Sequence, residues 1–261
     1  MTSKIKQIIK ENRRLYSLFL YKYFGNENKN KEKIKSLHNK YLGKRCFIIC
    51  NGPSLKAEDL EKIHNNKDYS FASNKIDKIF SRTNWKPSFY TIIDETYQYS
   101  LIDVMNKIPA AVKFFRMTSY CTTRKVNGNV IWLNADGDRK LLDSPKFSED
   151  IENVIYTIAT VTYAMLEIAV YMGFRELYII GCDNSYGLEK KKDGTIINNG
   201  TESYFAGSNL NDKKIVGATW EMNIAYEYAR KYAETHGIKI YNATRGGHLE
   251  AFERIDFDSL F

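Results

Sequence analysis

The chain has no cysteine pairing motif, no long apolar run and no signal-peptide pattern in its first residues, and each absence argues against a class of protein. Its four cysteines form no CxxC pair, which argues against a disulfide framework or a zinc site and favours structural thiols. No apolar stretch reaches the roughly 18–20 residues that span a bilayer. The first residues lack the apolar core and cleavage site of a signal peptide, so we expect a cytoplasmic protein.

Acidic residues are scarce at one end of the chain. Residues 1–45 hold 13 Lys/Arg and 3 Asp/Glu, a net charge of +10, whereas the whole 261-residue chain carries +8. Residues 46–261 therefore sum to −2. The basic excess lies on an N-terminal arm, and the nearly neutral remainder is long enough for one large α/β domain.

The arm predicts an amphipathic helix with basic residues opposite an apolar face. That face consists of Ile5, Ile8, Ile9, Tyr16, Phe19, Leu20 and Tyr23. Two interpretations stay open: the helix lies peripherally on the anionic inner face of the cell membrane, or it packs its apolar face on the domain or on a second subunit. No aromatic–basic interleaving follows in the body, so we expect no nucleic-acid partner. Gly25 to Lys44 is predicted to be a polar linker with a short helix.

The most informative segment is Arg45 to Lys56, which reads RCFIICNGPSLK. An apolar run breaks abruptly into Asn-Gly-Pro-Ser, and a helical pattern follows at once. This pattern predicts a buried strand, a tight turn and a helix start, the local plan of a nucleotide-binding α/β domain. Backbone N–H groups at such a turn favour a phosphate.

The rest of the body alternates between strand and helix patterns, which predicts crossover connections and a mainly parallel sheet. Predicted strands are 45–50, 69–74, 88–94, 112–117, 130–134, 176–181 and, last, 238–242. Predicted helices are 57–64, 76–82, 95–107, a long apolar helix at 151–173, and 219–236, with a polar loop at 187–211. We therefore predict an α/β fold: a Rossmann-like three-layer nucleotide-binding domain at 45–261, preceded by the basic helical arm and linker at 1–44.

Four predicted strands end in a polar residue: Asn51, Asn74, Asp94 and Asp183. In an open parallel sheet, ligands bind beyond the carboxyl ends of the strands. These side chains are therefore candidates for one site. Capping of the next helix is the alternative for each of them.

The order CNGPSL, SN, a strand-end Asp and GxD resembles the MptE-like domain family, named for archaeal 6-hydroxymethylpterin diphosphokinase. That family is similar to sialyltransferases of glycosyltransferase family 42 and to Maf flagellin glycosyltransferases. The resemblance covers about residues 43–245. It implies that the first turn contacts the nucleotide phosphates and ribose, and that Asn74 and Asp94 lie beside the nucleotide sugar. The residues of that turn are Asn51, Gly52, Pro53 and Ser54.

The resemblance also implies roles further along the chain. Thr160 would offer a hydroxyl and a helix N-terminus to an anionic donor, and Gly181 and Asp183 would approach the nucleoside. The loop after Asp183 would form a lid, with Tyr186 or Tyr204 bonding the leaving phosphate.

The sialyltransferases have a general-base histidine before the penultimate helix, where this chain reads IVGATWEMN. Glu221 is the nearest acid and could act as the base if burial raised its pKa, although a carboxylate there also suits the helix dipole. His248 is the other candidate, beside two glycines. Arg245 could hold a phosphate or carboxylate by two parallel hydrogen bonds.

Three functions remain open from the sequence. The first is a glycosyltransferase that moves a sugar from a nucleotide donor, with a CMP-sugar favoured and no cofactor required, onto a glycan or lipid-linked acceptor. The second is a diphosphokinase that transfers a pyrophosphoryl group from ATP with Mg²⁺, held by Asp94 and Asp183. The third is a nucleotide-binding relative without catalysis. No metal site is predicted for the first function.

Overall fold

A computed structural model describes residues 3–206, 208 and 215–261. In chain order its strands are β1 (Arg45–Ile49), β2 (Tyr69–Ser73), β3 (Phe89–Thr91), β4 (Val112–Arg116), β5 (Val130–Leu133), β6 (Ala135–Asp136), β7 (Ile155–Tyr156), β8 (Glu176–Ile180), β9 (Leu188–Lys190), β10 (Ile196–Asn198), β11 (Val216–Gly217), β12 (Lys239–Asn242) and β13 (Glu253–Arg254). The α/β fold predicted from the alternating pattern is confirmed.

The α-helices of the described residues are α1 (Ser3–Phe24), α2 (Glu27–Lys35), α3 (Ala57–Asn65), α4 (Glu95–Ser100), α5 (Ile102–Lys107), α6 (Tyr120–Thr123), α7 (Val161–Tyr171) and α8 (Thr219–Thr235). Short 3-10 turns lie at Ile76–Ile79, Met117–Ser119, Arg139–Leu142 and Phe257–Leu260.

The main sheet has eight parallel strands in the order β13-β12-β8-β1-β2-β3-β4-β5. From β1 the chain first builds outward through β5, then returns to the other side of β1 for β8, β12 and β13. The strand order therefore reverses between β1 and β8. Connections that leave two neighbouring strands in opposite directions open a crevice above their carboxyl ends, where α/β proteins bind ligands.

Both faces of the sheet are covered, as the near-continuous apolar strands predict. Along β1, Cys46 and Ile48 enter one core with α7 and α8, whereas Phe47 and Ile49 enter the other with α3 and α5. These four side chains have no exposed surface. The result is the three-layer arrangement expected from the sequence.

Several predicted boundaries are wrong. The long helix predicted at 151–173 is only α7, because the segment before it forms β7 and Thr160 caps the helix. An unbroken apolar run does not distinguish a strand followed by a helix from one helix. The predicted helix 95–107 is interrupted at Leu101, and 76–82 forms a 3-10 turn.

The polar segment predicted as a loop at 187–211 instead contributes β9 and β10 to a small sheet with β11. All three residues of β10 are exposed, so no apolar alternation marks the strand. Residues 207 and 209–211 of the predicted loop lie outside the described residues. The last strand of the main sheet is β13 rather than the predicted 238–242 strand.

The predicted linker is packed against the sheet. Asn30 of α2 donates from Nδ2 to the Trp132 carbonyl at 2.8 Å and accepts from the Trp132 N–H at 2.9 Å. These two bonds satisfy backbone groups of the edge strand β5, which would otherwise be open to pairing. Ile34 and Leu37 enter the core beside α7.

Helix α1 docks through a narrow strip. Leu20 and Tyr21 are buried with Tyr120, and Tyr21 also approaches the ring of Trp132. Of the seven apolar residues predicted to form one face, Leu20 alone is buried. No helix of the described residues is long and apolar enough to cross a membrane.

Candidate active site

Two adjoining cavities lie above the carboxyl ends of the central strands. The smaller, about 100 Å³, lies over β1 and β8 at the point where the strand order reverses. The larger, about 410 Å³, extends toward β4. They share the residues Asn74, Thr160, Val161, Tyr186 and Met222. A ligand can therefore extend from one into the other.

The first turn is held against the end of β8 by backbone contacts. The Gly52 N–H donates to the Gly181 carbonyl at 2.8 Å, and the Leu55 N–H closes the turn on the Gly52 carbonyl at 3.1 Å. A Cβ on Gly52 would overlap Asp183 Oδ2 and lie 2.6 Å from the Gly181 oxygen. Only glycine fits where the two chain segments approach so closely.

Asp183 is fixed on the cavity wall by this turn. Its Oδ2 accepts from the Ser54 N–H at 3.2 Å and from the Ser54 hydroxyl at 2.8 Å. Asp183 lines the smaller cavity with Asn51 and Gly181. Among the described residues that line the two cavities, Pro53 and Ser54 are absent. Pro53 is the second residue of the turn, a position where its ring favours the required φ.

Asn51 has one satisfied and one unsatisfied polar atom. Its Nδ2 donates to the Ser73 carbonyl at 3.2 Å, which orients the amide. Its Oδ1 is buried and has no hydrogen-bond partner among the described residues. An unpaired buried acceptor costs about 1–3 kcal/mol. Because Asn51 lines the smaller cavity, an O–H or N–H of a ligand there can relieve this cost.

Asn74 lies between the two cavities. It follows β2 with φ +54°, a left-handed conformation that asparagine tolerates better than most residues. The Tyr90 hydroxyl donates to its carbonyl at 2.6 Å and holds this backbone in place. Asp94 lines the larger cavity, where it also caps α4 through a bond from the Tyr97 N–H at 3.1 Å.

The N-terminus of α7 also lies on the boundary. Thr160 Oγ1 accepts from the Thr162 N–H at 3.2 Å and caps the helix. The eleven-residue helix directs its positive end and its first N–H groups toward the shared wall, which favours an anion there.

Tyrosines from the segment after β8 cover the smaller cavity. Tyr186 lines both cavities, and Tyr204 lines the smaller one. Desolvation raises the pKa of Tyr186 above its ordinary value, so its phenol stays neutral and able to donate. The segment is anchored over the first turn because the Phe205 N–H donates to the Asn51 carbonyl at 3.1 Å.

Two thiols form the floor of the smaller cavity. Cys50 lies 3.3 Å from the Thr162 hydroxyl, and Cys182 lies 3.4 Å from the Tyr226 hydroxyl. A hydrogen bond with Cys182, together with burial, raises the pKa of Cys50. The same bond lowers the pKa of Cys182. All four cysteines are free thiols, as predicted from their spacing.

The larger cavity contains charged groups that the sequence prediction missed. Arg116 is the last residue of β4, and Arg139 begins a 3-10 turn. Arg139 Nη2 lies 2.7 Å from Oε1 of Glu221, which is on the first turn of α8. Arg116 is a polar residue at a strand end, like Asn74, so the same pattern could have predicted it as a site residue. Arg139 lies outside the strands of the main sheet, where no sequence pattern marks it.

The structure therefore brings together most of the predicted site residues. Those that line the cavities are Asn51, Gly52, Asn74, Asp94, Thr160, Gly181, Asp183, Tyr186 and Glu221. Arg245 and His248 are elsewhere. Arg245 is already paired with Asp59 at 2.9 Å and with Asp258 at 2.8 Å, and His248 is exposed beside a separate, open surface hollow.

The sheet order and the crevice at its reversal define a Rossmann-like α/β protein with a strand-end ligand cavity. The chain belongs to the MptE-like family: the family's sequence profile, described as 6-hydroxymethylpterin diphosphokinase MptE-like, matches residues 21–189. The resemblance drawn from the turn motif is therefore confirmed.

A solved structure, the Maf glycosyltransferase from Magnetospirillum magneticum AMB-1, is similar with a TM-score of 0.56 at 17% sequence identity. The match covers 90% of this chain and 39% of that chain, so the chain spans about two fifths of that protein's length. At this identity the likeness shows a shared fold. None of the curated proteins matches the chain.

Proposed function

We propose that the protein is a nucleotide-sugar-dependent glycosyltransferase, similar to sialyltransferases, that acts in the synthesis of a surface polysaccharide or glycan. The convergence of Asn51, Asn74 and Asp183 on one cavity at the reversal of strand order carries this proposal. The likeness of the fold to a Maf glycosyltransferase supports it.

In this proposal the nucleoside of a CMP-sugar donor occupies the smaller cavity, where Asn51 Oδ1 accepts a hydrogen bond from it. The 100 Å³ of that cavity is too small for a complete donor, because small-molecule pockets measure about 300–1,000 Å³. The phosphate and sugar therefore extend past Thr160 into the larger cavity. The positive end of α7 and the neutral Tyr186 hydroxyl stabilise the leaving phosphate.

Glu221 is the proposed general base, because it is the predicted candidate that lines the larger cavity. Its carboxylate takes the proton of the acceptor hydroxyl as that oxygen bonds to the anomeric carbon of the donor. The bond from the anomeric carbon to the phosphate oxygen breaks, and its electron pair leaves with the nucleotide. In the structure this carboxylate is paired with the Arg139 guanidinium, with Oε1 2.7 Å from Nη2.

Thermal-shift measurements with CMP, UDP, GDP and ATP donors, with and without Mg²⁺, test the proposal. A CMP donor at 100 times its Kd should raise Tm by about 5 °C without metal. Asn51→Ala should abolish the shift, since it removes the unpaired acceptor in the cavity. Asn127→Ala, at an exposed loop residue, is the control and should retain it. An equal shift in both variants would contradict the site.

The family description favours a second candidate, pyrophosphoryl transfer from ATP to a pterin alcohol. This reaction calls for Mg²⁺, which is commonly held by one or two carboxylates together with substrate phosphates. Among the described residues no three His, Cys, Asp or Glu side chains form a metal-binding group. Asp94 and Asp183 line different cavities, so they do not fit one shared ion.

Magnesium-dependent AMP formation with a pterin acceptor would select this candidate. Nucleotide binding without turnover of any donor would instead indicate a relative that has lost catalysis.

The proposal includes peripheral contact with the inner face of the cell membrane through α1. Nine of the fourteen large hydrophobic residues exposed in the described structure lie on this helix. The helix also carries six Lys/Arg and one Glu. Exposed apolar and basic groups on one helix suit an anionic lipid surface, where a lipid-linked acceptor would be held.

A further inference from the structure

Two arginines from separate elements line the part of the larger cavity that the smaller cavity does not share. Arg116 reaches it from the end of β4 and Arg139 from the loop after β6. Neither guanidinium contacts the nucleotide donor in the function proposed above. Their hydrogen bonds and ion pairs indicate what they can bind.

Arg116 has an incompletely satisfied guanidinium. Its Nη2 donates to the Ala135 carbonyl at 2.7 Å, but its buried Nε has no hydrogen-bond acceptor among the described residues. The nearest carboxylate is Glu95, 3.8 Å from Nε. Glu95 also faces Lys10 at 3.6 Å and Arg14 at 3.3 Å, so one negative charge is shared among three cations. The cluster retains positive charge beside the cavity.

Arg139 has a partner that it can exchange easily. Its side chain is 68% exposed, whereas that of Glu221 is 11% exposed. An ion pair with one highly exposed partner is weak, because water screens the attraction. A ligand oxyanion that accepted two parallel hydrogen bonds from Arg139 would compete well with Glu221.

We propose that Arg116 and Arg139 bind a carboxylate or phosphate group of the acceptor in the larger cavity. This inference rests on the glycosyltransferase proposal. The oxyanion takes Arg139 from Glu221, and the released carboxylate becomes free to accept the proton of the acceptor hydroxyl. Acceptors with an acidic group are thereby preferred over neutral ones, because a neutral acceptor leaves Glu221 paired with Arg139.

Calorimetric titration of the full chain with inorganic phosphate and with gluconate tests the site with the two oxyanion types. Arg139→Gln should weaken binding of the favoured probe at least tenfold, and Arg139→Lys should restore part of it. Arg116→Gln should have the same effect, provided that its circular dichroism spectrum matches the wild type. Arg124→Gln, at an exposed arginine outside both cavities, should bind as the wild type does.

A competition experiment separates this inference from the proposed function. Nucleotide binding should persist in Arg139→Gln and the probe anion should bind together with the nucleotide. Unchanged anion binding in Arg139→Gln would overturn the oxyanion site. If nucleotide without its sugar displaces the anion, the site binds the donor phosphate, and the acceptor role is overturned. Anion binding that depends on Arg139 in a protein that binds no nucleotide would contradict the glycosyltransferase and leave only an oxyanion site.

Discussion

At the scale of single residues, Glu167 shows how a carboxyl group is retained in a core. It lies in the middle of α7, is fully buried, and accepts hydrogen bonds from the Ser148 N–H at 2.7 Å and the Tyr156 N–H at 2.8 Å. These bonds tie the segment around β7 to α7, and so help to hold the N-terminus of the helix at the cavity. Burial raises the pKa of Glu167 well above its ordinary value.

This raised pKa predicts a pH-dependent contribution to stability. The contribution is complete below the ordinary pKa of glutamate, about 4.3, and is lost as the pH rises through the raised value in the folded state. Glu167→Gln places an amide N–H₂ against one backbone N–H and should cost about 1–3 kcal/mol near pH 5. The difference in Tm between wild type and variant should then shrink toward pH 8.

Thermal unfolding between pH 4.5 and 8 measures this difference. Glu227→Gln, at an exposed position of α8, is the matched control and should follow the wild type throughout. A constant gap between the wild type and Glu167→Gln would mean that the carboxyl does not titrate in this range.

At the scale of elements, the first turn and the end of β8 form one unit. Gly52 and Ser54 contact Asp183, which lies 129 positions after Ser54 in the chain. The NGPS motif predicted the turn, and the polar strand ends predicted Asp183. The contact between them could not be predicted, because local patterns carry no information about which strands become neighbours.

Gly52→Ala tests this unit. The added Cβ meets Asp183 Oδ2 and the Gly181 carbonyl, so the turn must shift. We expect a loss of about 1–3 kcal/mol in the free energy of unfolding, together with loss of nucleotide binding. Chemical denaturation and the donor thermal shift measure the two effects.

Gly194→Ala provides the comparison for Gly52→Ala. Gly194 has φ +90° in an open turn, and a Cβ added there would meet no atom within 4 Å, so the variant should incur only backbone strain of about 1 kcal/mol. It should bind donor normally. Normal donor binding by Gly52→Ala as well would refute the close approach at the first turn.

At the scale of the whole molecule, the strand order puts the cavities on one edge of the sheet, and α1 reaches the domain near them by pairing Lys10 and Arg14 with Glu95, the neighbour of the cavity residue Asp94. The apolar side chains that the helix buries, Leu20 and Tyr21, lie near its C-terminal end, whereas Lys10 and Arg14 pair with Glu95 from its middle. Most of its apolar residues stay exposed among basic ones. The membrane contact proposed for α1 rests on these exposed residues.

Paired substitutions on α1 test membrane contact in the full chain. Ile8→Glu combined with Phe19→Glu should lower the fraction that sediments with vesicles of phosphatidylcholine and phosphatidylglycerol at least tenfold, because each buried apolar side chain contributes about 1.5–3 kcal/mol. Ile196→Glu combined with Ile197→Glu, which alters exposed residues of β10, should leave binding unchanged.

Light scattering of the wild type and of the same α1 variant tests the alternative, in which α1 forms an interface between two copies of the chain. If the helix pairs two copies of the chain, the wild type should be a dimer that the variant converts to a monomer, without any vesicle binding in either protein. That result would replace the membrane role with a subunit interface.

The amino-acid sequence alone determined the α/β class, the central strands, the first turn and nine of the residues that line the cavities. These features depend on local patterns: apolar runs, turn residues and polar strand ends. The tertiary structure alone decided the strand order, the pairing of Arg245 with Asp59 and Asp258, the position of His248 outside the cavities, and the approach of Arg139 to Glu221. Those outcomes depend on contacts between residues far apart in the chain, which form only when the sheet and its helices pack together.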